Sequence, residues 1–265
     1  MGRRRDVDAR RRSGLMAIVA AGLAVAIYHF GGSSVRGRAF EARALEAAQF
    51  STDPGFPLAL VSVPTLLVAA SGLGLCALVR GRVADALRVL SAIALANLFG
   101  QGLKGVLSHP LASELPHGSG TFPSGHAIAI SSIVAGVLLT FPAALSVLAA
   151  IPGVVILSMS ATHLLHFGWH RGSDVLGGIA IVLCVFGCVY MFGPQAATAT
   201  RRRPMVLLSR LLRVVAFACG VIGGLPLIIH ALDGGGESAL GALTLMFVSF
   251  ATMAVACIMS IRADH

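Results

Sequence analysis

Residues 173–192 read SDVLGGIAIVLCVFGCVYMF, twenty positions whose only charge is Asp174 at the second. Roughly 20 mainly apolar residues in a helix cross a hydrocarbon core about 30 Å thick, so this run is long enough to span a bilayer. Its apolar residues are continuous rather than alternating, which argues against a barrel strand. In lipid a helix then satisfies every backbone N–H and C=O internally. Comparable runs occupy residues 14–30, 57–79, 84–107, 124–141, 144–165, 214–232 and 240–261. The expected fold is therefore all-α, a polytopic membrane bundle of about eight transmembrane helices.

Composition agrees with lipid as the main solvent. Of 265 residues 56% are hydrophobic and only 12% charged, and the mean hydropathy is +0.87, beyond what one soluble core requires. The formal charge of +9 comes from short clusters flanking apolar runs, without aromatic interleaving, so nucleic acid is not an expected partner. Cys76, Cys184, Cys188, Cys219 and Cys257 all fall inside apolar runs, where packing explains them. The basic amino terminus and its apolar run lack a small-residue cleavage site after Phe30, which favours an uncleaved first helix.

Fifteen of the twenty basic residues fall on one side of the eight runs, in clusters at Arg3–Arg12, Arg80–Arg88 and Arg201–Arg213 and at Arg262. The positive-inside bias then places both termini in the cytoplasm. Three divisions follow: residues 1–83 hold a basic tail, two helices and an interfacial segment; 84–193 hold the third to sixth helices; 194–265 hold a basic loop and two more helices. Within 31–53, residues 39–50 read as a short amphipathic helix lying along the interface.

The same topology brings two outer segments together, 104–126 and 163–174, which contain six of the nine histidines. Ionisable residues at helix ends facing a common rim form a functional-site hypothesis. Phe122-Pro123-Ser124-Gly125-His126 opens an apolar run: proline suits a first turn, Ser124 can cap, and Gly125 lets a ligand approach helix-start amides that favour an anion. An ordinary helix start with a solvated histidine would read the same way. In His170-Arg171-Gly172-Ser173-Asp174 a carboxylate can reach back to orient an imidazole, or can simply be a favourable helix-start charge. Lys104, the chain's single lysine, sits at the outer end of an apolar run as either a snorkelling side chain or a point charge for phosphate.

These residues together resemble the type 2 phosphatidic acid phosphatase family, lipid phosphatases that share an active site with vanadium haloperoxidases. The resemblance covers residues 84–192 and rests on Lys104, on Pro123-Ser124-Gly125-His126, and on the run from Gly168 through His170 and Ser173-Asp174-Val175. It implies a phosphatase core in helices three to six, with His170 as nucleophile, Asp174 orienting it and His126 as general acid and base. Lys104, Ser124 and Gly125 would bind phosphate, and neither metal nor other cofactor is required. The implied substrate is a phosphate or diphosphate monoester of a lipid, turned over on the periplasmic or extracellular face of a bacterial inner (plasma) membrane.

Two family features are missing. Where the first motif carries arginines this chain has His109 and Leu111 around Pro110, and the third motif reads His163-Leu164 in place of Ser-Arg. Losing one transition-state donor typically costs about 2.7 to 4 kcal/mol. His109, His163 and Arg171 are the candidate substitutes. Three other readings stay open: a lipid-to-lipid phosphotransferase with the same site, a non-catalytic phospholipid-binding protein, and a metal site built from His163, His166, His170 and Asp174 at spacings of three, four and four. The oligomeric state and the particular lipid are not legible.

Overall fold

The computed structural model of the chain describes residues 2–53, 55–107, 122–192, 203–225, 228–229 and 235–263, and no strand occurs among them. In chain order the helices are α1 (Gly2–Ala26, continued by a π-helical stretch Ile27–Ser33), α2 (Val35–Glu46), α3 (Gly55–Leu58), α4 (Val63–Val79), α5 (Val83–Val106), α6 (Gly125–Thr140), α7 (Ala143–His166), α8 (Gly172–Phe192), α9 (Arg203–Ala218, continued by a π-helical stretch Cys219–Gly224) and α10 (Gly236–Ala263). Six spans among the described residues are long and apolar enough to cross a bilayer: 7–33, 83–106, 143–166, 172–192, 204–222 and 236–261. α4 and α6 are apolar but shorter, at 17 and 16 residues.

α8 is the axis of the bundle. It packs against α1 most extensively and also meets α5, α6 and α10, as a run that is apolar on all sides must. Its glycines admit the neighbours: Gly177 leaves room for the Phe122 ring, and a Cβ on Gly187 would lie 2.8 Å from the Ser13 carbonyl oxygen of α1. Small residues at a helix interface allow such close backbone approach in lipid. α1 runs antiparallel to α8, with Gly14 against Met191 at one end and Gly31 against Ser173 at the other.

Several boundaries differ from those expected. Residues 57–79 do not form one helix: α3 ends at Leu58 and α4 starts afresh at Val63, where the Ser62 hydroxyl accepts from Thr65 N–H (3.2 Å) and Pro64 fills the first turn. α9 starts eleven residues before the expected position 214, so Arg210 and Arg213 belong to a helix rather than a loop. α1 likewise absorbs the basic tail, because arginine is a good helix former. Other arginines of the expected cytoplasmic side have a structural use: Arg80 donates to the Thr140 carbonyl (2.8 Å), capping the carboxyl end of α6.

The interfacial segment is more engaged than its pattern suggests. α2 starts at Val35, capped by Ser34, and its Ala44 and Leu45 join Leu164, Leu165, Val175, Leu176 and Phe247 in an apolar cluster. The chain that follows is pinned across the α7–α8 turn, since Gln49 N–H donates to the His166 carbonyl (2.9 Å) and Trp169 Nε1–H to the Ser51 carbonyl (2.8 Å).

Candidate functional site

α7 ends at His166, and Gly168, two residues on with a φ of +69° that suits glycine, closes a Schellman-type end. Trp169 N–H donates to the Leu164 carbonyl at 3.0 Å, and Gly168 N–H to that of Leu165 at 3.0 Å. This reversal carries His170 back under the bundle end, where its own N–H also bonds Leu164 (3.0 Å), and α8 begins two residues later.

The Phe122–His126 segment meets that turn from the other side. Ser124 N–H donates to the Asp174 carbonyl at 2.9 Å, joining the start of α6 to the first turn of α8. The Ser124 hydroxyl accepts from Ala127 N–H (3.3 Å), an N-cap as its position in the sequence predicts. Phe122 is buried against Gly177 and edge-on to Tyr28 of α1, ring centroids 5.1 Å apart, and the Ser124 carbonyl rests on Gly178. The paired glycines of α8 thus seat the tetrapeptide one turn beyond Asp174.

Asp174 is fully buried, and its Oδ2 faces His170 Nδ1 at 3.7 Å and accepts from Arg171 N–H at 3.4 Å. Nε2 is the His170 nitrogen on the other side of the ring from that contact. Across the site lies the His126 ring, 6.2 Å from that of His170 between centroids and held edge-on by Trp169 at 5.7 Å. Lys104, on the last turn of α5, brings Nζ over the start of α6: a Cβ on Gly125 would lie 3.0 Å from it and 3.5 Å from Gln101 Nε2. His170 and Asp174 form a buried floor, while Lys104, Gly125 and His126 are half-buried at its mouth. Lys104, Ser124, Gly125, His126, His170 and Asp174, from three helices, therefore converge.

The candidate substitutes for arginine fare differently. His109, with Pro110 and Leu111, lies outside the described residues. His163 sits on the last turn of α7 with its ring over Phe167 (5.1 Å), and its electrostatic neighbour is His166. Arg171 is buried, within electrostatic range of Glu41. Among the described residues no three His, Cys, Asp or Glu side chains gather as a metal site. His163, His166, His170 and Asp174 share no continuous helix, because the turn at Gly168 separates the first two from the others.

Glu41 is a member that the sequence reading does not single out. It projects from α2 into the start of α8, is 3% exposed, and its Oε1 accepts from Ser173 N–H at 2.6 Å. Oε2 is buried with no hydrogen-bond partner among the described residues. Burial pushes its carboxyl up to about 7; the Ser173 N–H opposes this and the nearby Asp174 carboxylate adds to it. The available signal was positional: Glu41 shares the inward face of α2 with Ala44 and Leu45, three and four residues on, where an amphipathic helix carries apolar residues. Trp169, the chain's single tryptophan, was likewise legible beside His170 but not singled out.

Chemically the arrangement offers a buried imidazole with a carboxylate 3.7 Å from its Nδ1, a second imidazole across a gap, and an ammonium beside a helix start, whose amides suit an anion. Compared with protein-family models, curated proteins and solved structures, the chain matches none.

Proposed function

We propose that this chain is a membrane lipid phosphatase that hydrolyses a phosphate or diphosphate monoester of a lipid through a phosphohistidine. The observation that carries the proposal is the pairing of His170, backed by Asp174 at 3.7 Å, with His126 at 6.2 Å beneath the Lys104 ammonium. In this reading His170 Nε2 attacks phosphorus, the P–O bond to the lipid breaks, and its electron pair leaves on the lipid oxygen, which takes a proton from His126. Water then attacks the phosphohistidine and gives its proton to His126, and the P–N bond breaks to release inorganic phosphate.

Lys104, the Ser124 hydroxyl and the Gly125 amide hold the phosphoryl oxygens, where charge develops in the transition state. Arg171 is buried within electrostatic range of Glu41, and in this reading Lys104 and the α6 amides carry most of the compensation. Without the family's arginines a slow enzyme is expected. The proposal counts eight crossings, with α4 and α6 as short ones, and puts the site on the periplasmic or extracellular face of a bacterial inner membrane.

The test is inorganic phosphate release by detergent-purified protein from phosphatidic acid, phosphatidylglycerol phosphate, polyprenyl diphosphate and a lipid A phosphate. Release that is lost in His170→Ala and blocked by vanadate is the expected result. Release that persists in His170→Ala would refute the phosphohistidine; no release from any of these lipids would refute the hydrolase.

A further inference from the structure

A cavity of about 700 Å³ opens between α1, α8, α9 and α10. Its wall includes Arg12, Arg210 and Arg213 together with apolar side chains such as Val19, Leu23 and Phe250. The arginines lie toward the end away from His170. α1 is antiparallel to α8, which puts Arg12 near the level of Met191, and α10 starts beside Arg43 of α2 and ends with Ser260 on the same cavity wall.

Two dimensions select the occupant. Arg12 and Leu23, both on the wall, are eleven residues apart on one helix, about 16 Å at 1.5 Å per residue. That is close to the depth of one leaflet, half of a hydrocarbon core about 30 Å thick. A small anion would use the cationic end and leave the apolar length without purpose, whereas a phospholipid uses both. Basic pockets between membrane helices suit anionic head groups, each basic residue near the surface contributing roughly fivefold in binding.

We infer that this groove binds one anionic phospholipid of the leaflet opposite the candidate site, with its phosphate among Arg12, Arg210 and Arg213 and an acyl chain along Val19, Leu23 and Phe250. The binding is independent of the proposed phosphatase activity.

The experiment is native mass spectrometry of the purified full chain titrated with phosphatidylglycerol or with phosphatidylcholine of the same chains. One phosphatidylglycerol should be retained with about a hundredfold preference, weakening as ionic strength rises. The preference should vanish in Arg12→Gln/Arg210→Gln/Arg213→Gln and persist in Arg10→Gln/Arg11→Gln, whose arginines do not line the cavity. Val19→Trp, at a position 52% exposed, fills the groove with all three arginines intact and should also abolish retention, which decides the matter if the triple variant does not fold. His170→Ala should retain the lipid whether or not the wild type releases phosphate. Equal retention of both lipids, retention by the triple variant or by Val19→Trp, or equal loss in the Arg10/Arg11 control would overturn the inference.

Discussion

Replacing Glu41 with glutamine should change how stability depends on pH. In the folded chain the Glu41 carboxyl is raised from 4.5 to about 7, chiefly by burial. Between those values the folded chain keeps a proton that the unfolded chain has released, so stability falls as pH rises through the window and the full cost is felt above about 7. A rise of that size corresponds to about 3 kcal/mol. Glu41→Gln keeps an oxygen that can accept from Ser173 N–H and does not titrate. Its amide nitrogen takes the place of Oε2, adding a cost that does not vary with pH. Denaturant unfolding of both detergent-solubilised proteins at pH 4.5, 6 and 8 separates the two effects, because titrating groups distant from Glu41 cancel in the difference. Relative to the variant, the wild type should lose about 3 kcal/mol between pH 4.5 and pH 8. A difference constant to within about 0.5 kcal/mol would refute the buried carboxyl and with it the placement of α2 against the start of α8.

Three further outcomes are expected. His126→Ala should slow turnover about 10²- to 10⁴-fold on a lipid monophosphate, and less on a diphosphate, whose leaving group needs less protonation; phosphate-release rates on the two substrates compare them directly. If Lys104 binds phosphate as proposed, Lys104→Met should lower kcat/KM by about 10²-fold while unfolding midpoints stay near wild type, since the ammonium is half-buried beside Gly125 rather than in a packed core. Gly177→Ala sets a methyl against the buried Phe122 ring and should cost about 1 to 3 kcal/mol in unfolding, whereas Gly102→Ala, with open space around it, should be neutral or slightly stabilising.

The membrane-helix class was legible because a bilayer imposes one length and one hydropathy on every crossing. Helix 172–192 matches its sequence run, 173–192, closely for that reason, starting one residue earlier and ending at the same Phe192. Boundaries failed where polar helix formers extend an apolar run, as in α1 and α9, or where a cap and a proline restart a helix, as at Ser62 and Pro64. Ser124 as a cap and Gly168 as a helix stop could be read locally, because capping and left-handed φ depend on the residue itself.

The sequence by itself determined that this chain lives in lipid as helices, which ends carry ionisable residues, and which short motifs can cap, turn or orient a neighbour; each follows from interactions within a few residues. Only the tertiary structure decided that the Ser124 and Asp174 backbones join, that Gly177 receives Phe122, that Trp169 flanks His126, and that Glu41 reaches the start of α8 from 132 residues away. Those contacts depend on which helix packs against which. A carboxylate on an amphipathic helix looks alike whether its face meets water or protein, and only packing removes the water.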